Sequence, residues 1–177
     1  MKNPITPTDR EVTMQAGDFI VSKTDLKGRI TYANRIFMQI AGYDERELLG
    51  RQHNIVRHPD MPRGVYRLLW QTIEGGDECF AYVKNLCKGG DFYWVFATIT
   101  VDYDRDGRPA GYYSVRRQPS RAALAAIEPV YREMLEIERR AGPRDAPTRS
   151  VEWLQAQIAA RGARSYSDFI QGLLHAA

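Results

Sequence analysis

Two glycine-centred turns late in the chain constrain its fold more than any other feature. Lys88-Gly89-Gly90-Asp91 and the segment around Gly107 (residues 104–108) divide residues 78–117 into three β-rich runs. The first, 78–87, alternates in polarity; the second, 92–103, is long; the third, 110–117, closes the set. Short turns containing Gly join strands that run in opposite directions, so the three runs form an antiparallel meander.

Upstream, residues 18–24 (DFIVSKT) place Phe19 and Val21 in alternation, and residues 29–33 (RITYA) place Ile30 and Tyr32 on one face. Asp25-Leu26-Lys27-Gly28 turns between them, which makes a hairpin. Asn34 is a good N-cap, followed at helical spacing by Ile36, Phe37 and Ile40 up to Gly42. Asp44 opens a further short turn that stops at Gly50. Residues 51–62 hold two prolines and cannot form one continuous helix. Residues 63–74 carry Val65, Leu68, Leu69 and Ile73 on one face and end at Gly75-Gly76. The order is therefore two strands, several short helices and three strands, an α+β arrangement.

The two ends read differently. Residues 1–17 are expected to form a mobile arm, with a short turn of helix near Val12. From Ser120 the chain becomes rich in Ala, Glu and Arg, with Leu124, Ile127, Tyr131, Met134 and Leu135 on one helical face. Pro129 predicts a kink or two abutting helices. Residues 142–148 (GPRDAPT) read as a linker, followed by helices over 151–160 and 167–174. The expected division is an arm over 1–17, a domain over 18–118 and a helical C-terminal extension over 119–177.

Charge narrows the function classes. The 25 basic and 22 acidic residues are interspersed, giving a net charge of +3 and no basic stripe of the kind nucleic acid requires. No stretch approaches the roughly 20 apolar residues that span a bilayer. The polar start of the chain, with Pro4 and Pro7, does not read as a signal peptide. Cys79 and Cys87 make no zinc signature and suggest a reducing compartment. The expected localisation is cytoplasmic. Nucleophile elbows, Walker loops and His-Glu-x-x-His motifs are absent, and Asp102 and Asp104 read as solvated turn carboxylates, so no enzyme is expected.

With strand–helix–meander order in hand, Tyr32-Ala33-Asn34, Ala41-Gly42-Tyr43 and Glu47-Leu48-Leu49-Gly50 resemble the motifs of a PAS domain over about residues 18–117. The decapeptide His53-Asn54-Ile55-Val56-Arg57-His58-Pro59-Asp60-Met61-Pro62 is similar to the stretch that typifies PAS domains of bacterial aerotaxis receptors. Val83-Lys84-Asn85, Gly90-Asp91-Phe92-Tyr93-Trp94-Val95 and Ile127-Glu128-Pro129-Val130-Tyr131 share that similarity. The resemblance implies a PAS fold, a five-stranded antiparallel sheet with short helices over one face, here with a C-terminal helical extension. It implies bound FAD whose redox state is reported to a chemotaxis module. Two departures stand out: Cys79-Phe80 where an aromatic and a small residue are expected, and no transmembrane segment or signalling coiled coil after the helical tail.

The resemblance names a cofactor-binding set, and each member has a second reading from its own chemistry. Arg57 is a cation for phosphate or a partner for Asp60; His58 is a donor to a ring or ribose oxygen. The same segment also reads as a turn network in which Asp60 caps the helix that starts near Arg63. Trp70 lines a cavity or packs in the core. Asn34 is fully explained as an N-cap. Asn85 is disfavoured inside a strand, so its amide is the better candidate to read the flavin edge. Tyr93 and Trp94 point to opposite sheet faces, one to the cavity and one to solvent. No cysteine lies in residues 52–62, which argues against light-driven thiol adducts.

The expected function is a cytoplasmic sensor that holds FAD non-covalently and signals oxygen or redox state. Its expected partner is a separate chemoreceptor-like transducer, or a second copy joined through the sheet or the C-terminal helix. The helix after Ser120 is the expected output, because its apolar stripe wants a partner surface. Two alternatives stay open: a haem gas sensor using His53 or His58, and a cofactor-free interaction module.

Overall fold

A computed structural model describes residues 5–175. Strands β1 (Ile20–Asp25) and β2 (Ile30–Ala33) form the first hairpin. Helices α1 (Arg35–Ala41) and α2 (Glu45–Leu48), a 3-10 turn at His53–Val56, and helix α3 (Arg63–Glu74) then carry the chain across one sheet face. Strands β3 (Cys79–Leu86), β4 (Phe92–Tyr103) and β5 (Pro109–Arg117) return as the meander. The sheet is wholly antiparallel, in the order β2-β1-β5-β4-β3, so the last strand in sequence is central.

Local chemistry sets the entry to the helices. The Asn34 side chain accepts from Phe37 N, and the chain leaves α1 through Gly42 in the left-handed region. Asp44 and Glu47 cap α2 reciprocally. Helix α3 differs: Asp60 does not cap it. Its N-cap is Pro62, which offers no side-chain acceptor, and the cap comes from elsewhere in the chain.

In the hairpin the inward residues are not the expected ones. Ile20 and Ser22 are buried, whereas Phe19 is half exposed. A register shift at Lys23/Thr24 also separates Ile30, which is buried, from Tyr32, which is exposed.

Over its described part the arm is not helical, and it is hydrogen-bonded to the sheet. Residues 8–12 lie extended beside the start of β4: Thr8 N donates to Gly90 O at 2.8 Å, and Val12 N to Phe92 O at 2.7 Å. Asp91 fixes the arm further by accepting from Thr8 Oγ1 at 2.7 Å and from Arg10 Nε at 2.7 Å. Residues 1–4 lie outside the described part.

The tail forms α4 (Arg121–Ala160) and α5 (Tyr166–His175). Helix α4 accommodates Pro129 and breaks instead at Gly142, where φ is 75°. Gly142 ends the first arm, and Pro143 begins the second, where a missing amide costs nothing. Residues 143–148 are thus helical rather than a linker. The apolar stripe of α4 is already covered: Leu124, Ile127, Tyr131 and Met134 are buried in the core. Tyr131 stacks on Trp94 at a ring-centroid distance of 6.4 Å, and its hydroxyl donates to Tyr82 O at 2.8 Å. The stripe is therefore covered within the chain, Tyr131 by the sheet face opposite the short helices and Met134 by α3 at Gly64, and Trp94 meets Tyr131 rather than solvent.

Candidate functional site

A cavity of about 210 Å³ lies between α3, the 3-10 turn and the sheet. Helix α3 contributes Tyr66, Leu69, Trp70 and Ile73, which the helical period places on one stripe. The sheet contributes apolar Val83, Ala97 and Ile99 and polar Asn85, Ser114 and Arg116. Gln52 and Asn54, both exposed, mark its opening, with His53 and Arg57 beside them. The walls are thus mostly flat and apolar, with donors gathered at the side where the 3-10 turn meets the sheet.

Arg116 is the central charge of this site, and nothing in the expected set pointed to it. It is 6% exposed, and Nη2 donates to Ser22 Oγ at 3.1 Å and to His53 Nε2 at 2.9 Å. Among the described residues its Nη1 has no partner, nor does the neighbouring Ser114 hydroxyl. No carboxylate among the described residues pairs with it. Burial lowers its pKa to about 10, so it remains a cation at neutral pH. A buried unpaired charge is costly, and so are buried orphan donors. The sequence signal was available: Tyr112, Ser114 and Arg116 alternate on β5, and Arg116 pairs across to Ala97 on the inner face.

His53 holds Arg116 in place. Its ring stacks on Phe37 at 5.7 Å, and burial followed by the Arg116 charge lowers its pKa to about 3. The neutral ring can then accept at Nε2, as the Arg116 contact requires.

The expected residues divide into two groups. Arg57, Trp70 and Asn85 line the cavity. Arg57 lies 4.1 Å from the Tyr66 ring centroid and donates to Met61 O at 3.3 Å, with no acidic partner among the described residues. Its backbone pairs with that of Asn85 in an isolated bridge, which holds the decapeptide against β3. The Asn85 side chain makes no hydrogen bond among the described residues, although the residue is only 4% exposed. Trp70 meets Tyr112 edge to face at 5.5 Å.

The others do not reach the cavity. The Asn34 amide is committed to backbone: it accepts from Val21 N and Phe37 N and donates to Phe19 O at 2.7 Å. His58 is buried behind Phe92, where Nδ1 accepts from Asp60 N at 3.0 Å and Nε2 has no partner among the described residues. Burial and then Lys84 lower its pKa to about 4, against the pull of Asp60. Asp60 pairs with Lys84 at 2.7 Å rather than with Arg57. Tyr93 shares the inner face with Asn85, yet it is packed in the core outside the cavity lining, and burial raises its pKa. These four are framework for the cavity, not its lining.

Neither cysteine lines the cavity. Cys79 belongs to a small cluster with Leu69, Ile73 and Tyr112, Cys87 donates to Ile40 O, and burial pushes both thiols up to about 12. No group of His, Cys, Asp and Glu among the described residues could hold a metal ion.

Residues 30–116, which hold α3 and every strand but β1, match the family model of the PAS fold. The chain carries a PAS domain. It is 43% identical over 115 residues to the aerotaxis receptor of Escherichia coli, covering 65% of this chain and 22% of that protein. It is 29% identical over 100 residues to the nitrogen fixation regulatory protein of Klebsiella pneumoniae, covering 56% and 20%. The chain thus spans about a fifth of the length of these relatives. Among solved structures it is similar to a light-oxygen-voltage domain (TM-score 0.55, 22% identity, 70% of this chain and 87% of that one). The light-state aureochrome1 domain follows at TM-score 0.53 and 20% identity, covering 67% and 91%. These structures share the PAS fold. No helix of the described residues is long and apolar enough to cross a membrane.

Proposed function

We propose that this PAS domain is a sensor, not an enzyme, that binds FAD non-covalently and passes its redox state to a partner protein or a second copy of the chain in the cytoplasm. The observation that carries this reading is Arg116, a buried cation with no counter-charge among the described residues, beside the orphan Ser114 hydroxyl in a mostly apolar cavity. The similarity to the aerotaxis receptor supports the choice of ligand.

The residues fit a flavin. Arg116, Ser114 and Asn85 offer donors to an acceptor-rich ring edge, and Asn85 can also accept. Trp70, Leu69 and Ile99 supply apolar walls for a planar ring. Arg57, at the opening and with no acidic partner among the described residues, suits phosphate. A bound flavin supplies a ring whose edge gains or loses protons as it gains or loses electrons. Asn85, with an amide uncommitted to protein, can then exchange donor for acceptor by rotating. His53 keeps Arg116 oriented while that exchange occurs. The haem reading loses its ligands, because His53 Nε2 is engaged by Arg116 and His58 lies outside the cavity lining.

Titrating the ligand-free chain with FAD and with riboflavin tests the assignment. Arg57→Ala is expected to weaken FAD by roughly ten- to a hundredfold and to leave riboflavin nearly unchanged. Equal losses for both ligands would remove Arg57 from the phosphate role, and no binding of either to the wild-type chain would overturn the flavin reading.

A further inference from the structure

The N-terminus of α3 is capped by the tail. Glu138, on the first arm of α4, is 8% exposed, and its carboxylate accepts from Arg63 N at 3.0 Å and Gly64 N at 2.8 Å. Ser150, on the second arm, donates to the same carboxylate at 2.7 Å. One side chain thus joins α3 to both arms across the Gly142 break. Two further bonds run from α3 to the second arm: Arg63 Nη1 to Pro143 O at 2.7 Å and Arg67 Nη1 to Thr148 Oγ1 at 2.8 Å.

Helix α3 therefore has two working faces. Tyr66, Leu69, Trp70 and Ile73 line the cavity, while Arg63, Gly64 and Arg67 meet the tail. Gly64 leaves no slack between them: a Cβ there would stand 2.3 Å from Ser150 Oγ and 3.1 Å from Met134 Cε. A close-packed contact of this kind does not deform gradually, so a shift of α3 must move the tail or break the cap.

We propose that Glu138 is a positioning residue through which the cavity and the second arm of α4 share one equilibrium. This rests on the ligand reading above and adds the route by which the cavity communicates with the tail. A carboxylate at a helix N-terminus stabilises it through the first-turn amides and the helix dipole, so α3 is ordered best when the tail is docked. By linkage, tail docking tightens ligand binding by the same factor as ligand binding tightens the tail. The partner then reads the docked or released second arm rather than a free helix.

Hydrogen exchange on the full chain, with and without FAD, tests this against Glu138→Gln and Ser150→Ala. Glu138→Gln keeps one acceptor and removes the charge, so the fold is retained. Without ligand, Glu138→Gln is expected to speed exchange at the first turn of α3 by about tenfold. In the wild-type chain FAD should slow exchange across residues 143–154, and both variants should lose most of that response. Unchanged α3 exchange in Glu138→Gln overturns the proposal whether or not FAD binds. A wild-type chain that binds FAD with no change in the second arm also overturns it. A chain that binds no FAD refutes the flavin reading alone, since the ligand-free α3 measurement still decides the role of Glu138.

Discussion

Arg116 and His53 make opposite demands on their surroundings, and the site satisfies both. The guanidinium stays charged in a buried place, whereas the imidazole is kept neutral to accept from it. Replacing Arg116 removes a buried charge with no counter-charge, and an apolar side chain of similar length is tolerated there. Arg116→Met is therefore expected to leave the ligand-free Tm unchanged or higher while sharply reducing flavin occupancy. A fall of more than about 4 °C, roughly 1–2 kcal/mol for a chain of this size, would show that Arg116 serves the fold instead. The pH dependence follows from the histidines. His53 and His58 have folded pKa values lowered to about 3 and about 4, so the unfolded chain binds more protons than the folded one below about 6.5. Their contribution is present above that pH and is lost as pH falls toward 4. Denaturant midpoints measured from pH 7 down to pH 4 should decrease, and His53→Gln should flatten part of the decrease. Alternation along β5 puts Arg116 on one face with Tyr112 and Ser114, but only the pairing of Arg116 with Ala97 shows that this face is the inward one. Ser22 was hidden for the same reason: it sits where an apolar residue is expected because it serves Arg116.

Among the elements, those set by local chemistry were the legible ones. The Asn34 cap, the Gly42 stop, the α3 stripe and the three meander strands follow from residues within a few positions of each other. What failed depended on distant partners. Asp60 was the nearest carboxylate to the start of α3, yet the cap is Glu138, 75 positions from Arg63. The docking of the arm is invisible locally because its partners, Gly90 to Phe92, lie far along the chain. Residues 143–148 looked like a linker because Gly and Pro usually end helices, whereas here they end one arm and start the next. Gly64 is the most sensitive point at this scale. Gly64→Ala would gain a little helix propensity but force Ser150 off the Glu138 carboxylate. A net loss of about 2–3 kcal/mol is expected in denaturant unfolding, and an increase in stability would contradict the packing described.

For the molecule as a whole, the resemblance read from motifs and the fold agree on a PAS domain with a cavity between α3 and the inner sheet face. The tail changed most in meaning. Its Tyr131 lies on Trp94 at the outer face of the sheet, while its Met134 and Glu138 meet α3 on the other side. The sheet is therefore held between two layers, and the tail belongs to the same packed body as the cavity. A sensor so built responds as a unit: what seats against Trp70 is felt at α3, and through α3 at α4. Whether the cavity holds a flavin is decided by the visible absorption spectrum of the purified full chain, recorded before and after dithionite. Flavin bands that bleach on reduction are expected. A Soret band, or a colourless chain that stays colourless after incubation with excess FAD, would rule the flavin out.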